Sequence, residues 1–134
     1  MISTLEHNSN YLPWYEINKE LPNSTLVILK IDEFHRIDQV FFEEQLQKYA
    51  SRNIFVSLTA CSNITGTIQD TFILSKLCHK YNGKIFFDMA TSAPYLPINM
   101  HLDNNSYYDG IFLSPHKIPG GVGSPGNVQL LFTM

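Results

Sequence analysis

The sequence contains no run approaching the ~20 consecutive apolar residues that a membrane-spanning helix needs. Its opening stretch, "MISTLEHNSNYLPW", has neither the basic nor the apolar block of a secretory signal. No membrane partner is expected. Cysteine is scarce: Cys61 and Cys78 are too few for a disulfide framework and lack zinc-binding spacing, which points to a reducing compartment and a cytoplasmic protein. Positive charge is scarce too. Nine Lys and Arg against twelve Asp and Glu leave a net charge of -3, and the basic residues are scattered, so the footprint of a nucleic-acid-binding surface is missing. His35, His79 and His101 have no metal-ligand spacing and read as surface residues. There is no G-x-x-x-x-G-K-[ST], which excludes a nucleotide-binding P-loop.

What is present is the material of one globular core: 134 residues, 44% hydrophobic and 13% aromatic, with no linker, repeat or low-complexity segment. Strand and helix signals alternate. The β-branched run "TLVILKI" (25–31) and the runs "IFVSLTA" (54–60), "KIFFD" (84–88), "GIFLS" (110–114) and "NVQLLF" (127–132) read as strands. Only a glycine-rich loop separates the last two, so the final strand is expected to run in reverse. Asp38 caps a helix reaching about Ala50, with Phe42, Leu46 and Tyr49 at helical spacing. Leu74, Leu77, Cys78 and Tyr81 mark a second helix, closed by a left-handed cap at Asn82-Gly83. The stretch 89–109 has turn residues and no period, and reads as irregular with one helical turn at most. This alternation predicts an α/β fold, a mostly parallel sheet with helices on both faces.

Ligands of such sheets collect at the carboxyl ends of the strands, so the polar residues that follow each apolar run are the ones to inspect. "TACSNITGT", "DMATSAP" and "SPHK" occupy those places. Asp88 closes a buried strand, where a carboxylate needs a cation, a metal or several donors, or else caps its own turn at "MATS". Lys117 is either a solvated loop lysine or a desolvated amine nucleophile. Ser114 and His116 flank Pro115 and could donate to an anion beside the glycine loop, whose N–H groups can form a nest. Cys78 sits on the apolar face of its helix and Cys61 in a turn, and both read as packing residues.

Taken in order, "EHNSNYLPW", "SNITGT", "FFDMATSAPY" and "SPHKIPGGVGSPG" resemble the successive active-site blocks of the class V aminotransferase family, which includes the cysteine desulfurases. The most specific part is the strand-terminal Asp88 followed by Ser114-x-His116-Lys117 and a glycine loop. The resemblance implies a partial large domain of the type I pyridoxal-phosphate fold, with residues 1–134 as its central part and the N-terminal segment and C-terminal small domain absent. It implies pyridoxal 5'-phosphate as cofactor, which serves as an electron sink while a lysine holds it as a Schiff base. Lys117 matches that lysine and the proton carrier at the substrate α-carbon, and Asp88 the partner of the pyridinium nitrogen. His7 matches the histidine stacked on the ring, with a second catalytic part in proton transfer. Asn63 and Thr91 match residues near the phenolic oxygen, and Ser114 and His116 donors to the phosphate. Pro13 and Trp14 match packing residues near the cofactor entrance.

Thr91 departs from the glutamine usual in desulfurases, being too short to reach the same oxygen without water or a local shift. The implied reaction acts on a small amino-acid substrate as transamination, desulfuration or lyase chemistry, and the implied assembly of the full-length protein is a homodimer, with the loop "GGVGSPG" near the subunit boundary. Two other readings stay open at this point. One is a truncated, non-catalytic remnant serving as a binding or dimerisation module; the other is a flavodoxin-like domain that uses the glycine loop for a different phosphate ligand.

Overall fold

In the computed structural model the described residues are 1–120, 123 and 126–130. The rest of the glycine loop and the expected extension of the last strand to Phe132 lie outside them. The elements follow the order β1 (Ile2–Ser3), α1 (Asn8–Glu20), β2 (Ile28–Leu29), α2 (Gln39–Lys48), β3 (Phe55–Thr59), α3 (Thr71–Lys80), β4 (Lys84–Asp88), β5 (Gly110–Leu113) and β6 (Asn127–Leu130). Strands β3, β4 and β5 are parallel neighbours and β6 adds antiparallel to β5, as the short intervening loop requires. The β1–β2 pair is parallel and lies along the edge of β3, where Ser57 N–H donates to Met1 C=O at 2.9 Å. No helix among the described residues is long and apolar enough to cross a membrane.

Both faces of the sheet are covered. Ser57 of β3 bonds to Asn10 of α1, and the period-two alternation of a strand puts Val56 and Leu58 on the other face. There they join a cluster with Phe42 and Leu46 of α2, Leu74 and Cys78 of α3, and Ile85, Phe87 and Ile111 of the neighbouring strands. The Asp38 cap expected from sequence is made, its side chain accepting from Phe41 N–H at the start of α2, and Asp70 likewise accepts from Ile73 N–H at the start of α3. The stretch 89–109 is irregular, with one helical turn in which Ala93 N–H reaches Met89 C=O. Tyr108 seats it on the core by meeting Phe87 edge-on at 4.8 Å and stacking on Phe72 at 5.2 Å.

Two features depart from the sequence reading. The run 25–31 is a strand only at Ile28–Leu29, because its partner β1 is two residues long and Ile31 already turns to pair with Ile37. Helix α1 was not expected: its sequence is rich in Asn, Ser and Pro, poor helix formers, and Pro13 lies inside it. The left-handed cap expected at Asn82-Gly83 is present, with Asn82 as the left-handed residue (φ 56°).

Gly83 serves close packing instead. A β-carbon there would lie 2.5 Å from Cys78 Sγ, 3.2 Å from Cys78 C=O and 3.3 Å from Ile54 Cγ2. Gly83→Ala should therefore destabilise the fold by about 1–3 kcal/mol through overpacking. In denaturant titrations Cys78→Ala in the same chain should recover part of that loss, and an additive double variant would show that the sulfur contact is not the cause.

Candidate functional site

The parallel register brings three strand ends together. Thr59 pairs with Asp88 and Asp88 with Phe112, and the ladder runs one step further through Ala60 N–H to Asp88 C=O and Met89 N–H to Phe112 C=O. The segments that carry Asn63, Thr91 and Lys117 therefore leave the sheet on one edge, about 5 Å apart per strand. The amino-terminal turn of α1 joins them, since Ser57 ties it to β3.

A cavity of about 500 Å³ opens at this edge, lined by Ser9, Asn10, Pro13 and Trp14 of α1, Asp88 and Ala90 after β4, Phe112, Leu113 and Ser114 at the end of β5, and Gly126. Asp88 is 8% exposed. Its Oδ1 accepts from Ala90 N–H at 2.9 Å, so one oxygen caps its own turn. Among the described residues its Oδ2 has no hydrogen-bond partner. The two sequence readings of Asp88 are thus compatible: the turn uses one oxygen and leaves the other for a ligand.

Ser114 lines the same cavity and precedes a 3-10 turn, Pro115–Lys117, closed by Lys117 N–H to Ser114 C=O at 2.9 Å. His116 and Lys117 are exposed on that turn, and Lys117 has no ion pair or side-chain hydrogen bond among the described residues. The loop beyond turns at Gly120, whose φ of 85° favours glycine.

His7 caps α1: its Nδ1 accepts from Ser9 N–H at 3.2 Å and lies 2.9 Å from Ser9 Oγ. The ring is exposed and does not line the cavity, although Ser9, two residues on, does. Asn63 is exposed in a turn that Ser62 Oγ braces by accepting from Ile64 and Thr65 N–H. Thr91 is half-buried in the turn after Asp88. Neither Asn63 nor Thr91 borders the cavity. Structure thus joins Asp88 and Ser114 directly, with Lys117 and His7 one short turn away and Asn63 and Thr91 on adjacent loops.

Pro13 and Trp14, expected near the entrance, form part of the wall. Sequence reasoning missed Glu6 and Asn10. Burial pushes the Glu6 carboxyl above its ordinary value; hydrogen bonds from Ser3, Thr59 and Asn10 pull it back, and the nearby Asp88 charge adds to the rise. The i, i+4 spacing of Glu6, Asn10 and Trp14 was the available signal.

Both cysteines are packing residues, as expected. Cys78 is fully buried and Cys61 is 8% exposed. Burial pushes both thiols up, so neither is poised as a thiolate. His79 is not the surface residue that its sequence context suggests: it stacks on Tyr107 at 3.9 Å, and its side chain, 9% exposed, meets Asp109 at 3.0 Å. His35 and His101 are exposed. Among the described residues no group of three His, Cys, Asp or Glu side chains could hold a metal.

Comparison with known proteins agrees with this architecture. The family model described as "Aminotransferase class-V" matches residues 1–124. A "Probable cysteine desulfurase" of Borreliella burgdorferi is 31% identical over 125 residues, 92% of this chain and 28% of that protein. A "Cysteine desulfurase" of Synechococcus elongatus is 31% identical over 126 residues, 92% of this chain and 19% of that protein. Among solved structures, a NifS-like protein from Rickettsia africae superposes with a TM-score of 0.78 at 26% identity, over 96% of this chain and 33% of the other. The chain thus spans less than a third of the length of the curated relatives it matches.

Proposed function

The chain belongs to the class V aminotransferase family, and from that premise we propose that it carries the cofactor-holding part of a pyridoxal-phosphate-dependent enzyme acting on an amino acid, with cysteine desulfuration as the reaction. The observation that carries this reading is that Asp88 and Ser114 line one cavity at the strand ends, while Lys117 lies on the turn that Ser114 opens.

The residues fit such a cofactor. A flat heteroaromatic ring with a protonated nitrogen needs apolar walls and one buried anion. Pro13, Trp14, Ala90, Phe112 and Leu113 supply the walls, and the Asp88 oxygen left over by its turn supplies the anion. When bound, pyridoxal phosphate supplies an electron sink for bonds at the α-carbon of an amino acid.

Asp88 holds the proton on the ring nitrogen by charge and hydrogen bond. Lys117 would hold the cofactor covalently through its ε-amine and would carry a proton at the substrate α-carbon. Ser114 and His116 would donate to the phosphate, and His7, one short turn from the cavity, would stack on the ring and assist proton transfer. Asn63 and Thr91, on the adjacent loops, would serve the phenolic oxygen, Thr91 through a water or a local shift. Desulfuration is the finer part of this reading, supported by the names of the two relatives. Neither Cys61 nor Cys78 serves it as a sulfur acceptor, because both are buried and burial pushes both thiols up, away from the reactive thiolate. The proposed assembly is a cytoplasmic homodimer.

The test is covalent capture. The protein incubated with pyridoxal phosphate and treated with borohydride should carry one cofactor-derived mass increment, located by peptide mass at Lys117. An unlabelled chain, or label spread over the exposed lysines without preference, would overturn the reading.

A further inference from the structure

Helix α1 is seated in an unusual way. It exposes Leu12 and Ile17, each by 45% or more, while the one residue it buries is Asn10. Apolar burial therefore does not explain why its first turn lies where it does. The polar contacts of Asn10 do.

The Asn10 amide has a fixed orientation. Trp14 Nε1–H can only donate, and it lies 3.3 Å from Asn10 Oδ1. The same oxygen accepts from Ser57 Oγ of β3 at 2.6 Å, and Nδ2 donates to Glu6 Oε2 at 2.7 Å. Ser57 is 1% and Asn10 6% exposed, so these bonds are shielded from water and costly to lose. Asn10 and Trp14 stand one helical turn apart on one face, Glu6 lies just ahead of the N-cap His7, and Asn10 and Trp14 both border the cavity that Asp88 lines.

We propose that Asn10 is a positioning residue of the cofactor cavity: its amide, bridging Ser57 of β3 and Glu6, holds the Trp14 face of α1 as a wall of that cavity. This rests on the cofactor reading above. Burial and the Asp88 charge both push the Glu6 carboxyl up, against the bonds that Ser3, Thr59 and Asn10 donate to it.

Trp14 is the single tryptophan of the chain, so its fluorescence reports on this wall without added labels. In the full chain, pyridoxal phosphate should quench Trp14 emission as it binds. Asn10→Ala should weaken that binding about 10-fold, as loss of a buried supporting contact does elsewhere, and should reduce the quench at saturation and shift the cofactor absorbance maximum. Ser57→Ala removes only the donor on β3 and should act in the same direction to a smaller extent. It decides the matter if Asn10→Ala does not fold.

A merely structural role predicts a lower melting temperature with unchanged affinity, quench and absorbance. That result in the variants, beside normal binding by the unmodified chain, would overturn this inference alone. Failure of the unmodified chain to bind pyridoxal phosphate would overturn the cofactor reading and this inference with it.

Discussion

Asp109→Ala is expected to lower the unfolding free energy by about 3 kcal/mol, the loss typical of removing one partner from a buried charged network, and the melting temperature by about 10 °C. Asp109 is 7% exposed and serves three donors. Its Oδ2 accepts from Ile85 N–H at 2.8 Å and faces His79 Nε2 at 3.0 Å, and its Oδ1 pairs with Lys84 Nζ at 3.0 Å. The Lys84 contact matters least, since the lysine side chain is 53% exposed. The buried Ile85 N–H and the His79 ring would lose their acceptor at a site largely closed to solvent.

Acid should reproduce part of this loss. Burial alone would raise the Asp109 carboxyl, but the bonds from His79, Ile85 and Lys84 prevail and hold it below the ordinary value. A depressed carboxylate stabilises the fold fully above its unfolded value, about 3.9, and loses that contribution as pH falls through the lower folded value. Stability measured in denaturant should thus fall below about pH 4 in the unmodified chain and show a shallower dependence in Asp109→Ala. A loss under about 1 kcal/mol at neutral pH would show that the network is a surface feature.

The second large effect separates stability from function. Asp88→Asn keeps the bond to Ala90 N–H in the amide-oxygen orientation and removes a buried negative charge near Glu6. The chain without cofactor should therefore be more stable by about 0.5 kcal/mol. Pyridoxal phosphate should bind about 100-fold more weakly, about 2.7 kcal/mol, because the charge-assisted bond to the ring nitrogen is lost. Thermal melts with and without cofactor measure both at once, since a ligand that binds only the folded state raises the melting temperature by mass action. If the cofactor raises the melting temperature of Asp88→Asn as much as that of the parent chain, Asp88 is not the ring-nitrogen partner.

Much of the site was legible as order along the chain. A buried apolar run followed by polar residues marks the carboxyl end of a parallel strand, so Asp88, Asn63 and the Ser114–Lys117 segment could be assigned to one edge before any coordinates. Helix α1 was not legible, because its apolar residues follow no helical period and its anchor is a polar side chain that meets a partner 47 positions away. His79 was hidden for the same reason: the groups that bury it, Tyr107 and Asp109, come from a stretch with no periodicity of its own.

Local chemistry alone determined the strand and helix alternation, the Asp38 cap, the reversal of β6 and the residue types at the strand ends, since each depends on neighbours a few positions apart. Tertiary structure alone decided which oxygen of Asp88 is left over, that Asn10 carries α1, and that His79 and Asp109 form a buried pair. Those outcomes depend on which distant groups exclude water from one another, and exclusion of water is a property of the packed chain that no short segment possesses.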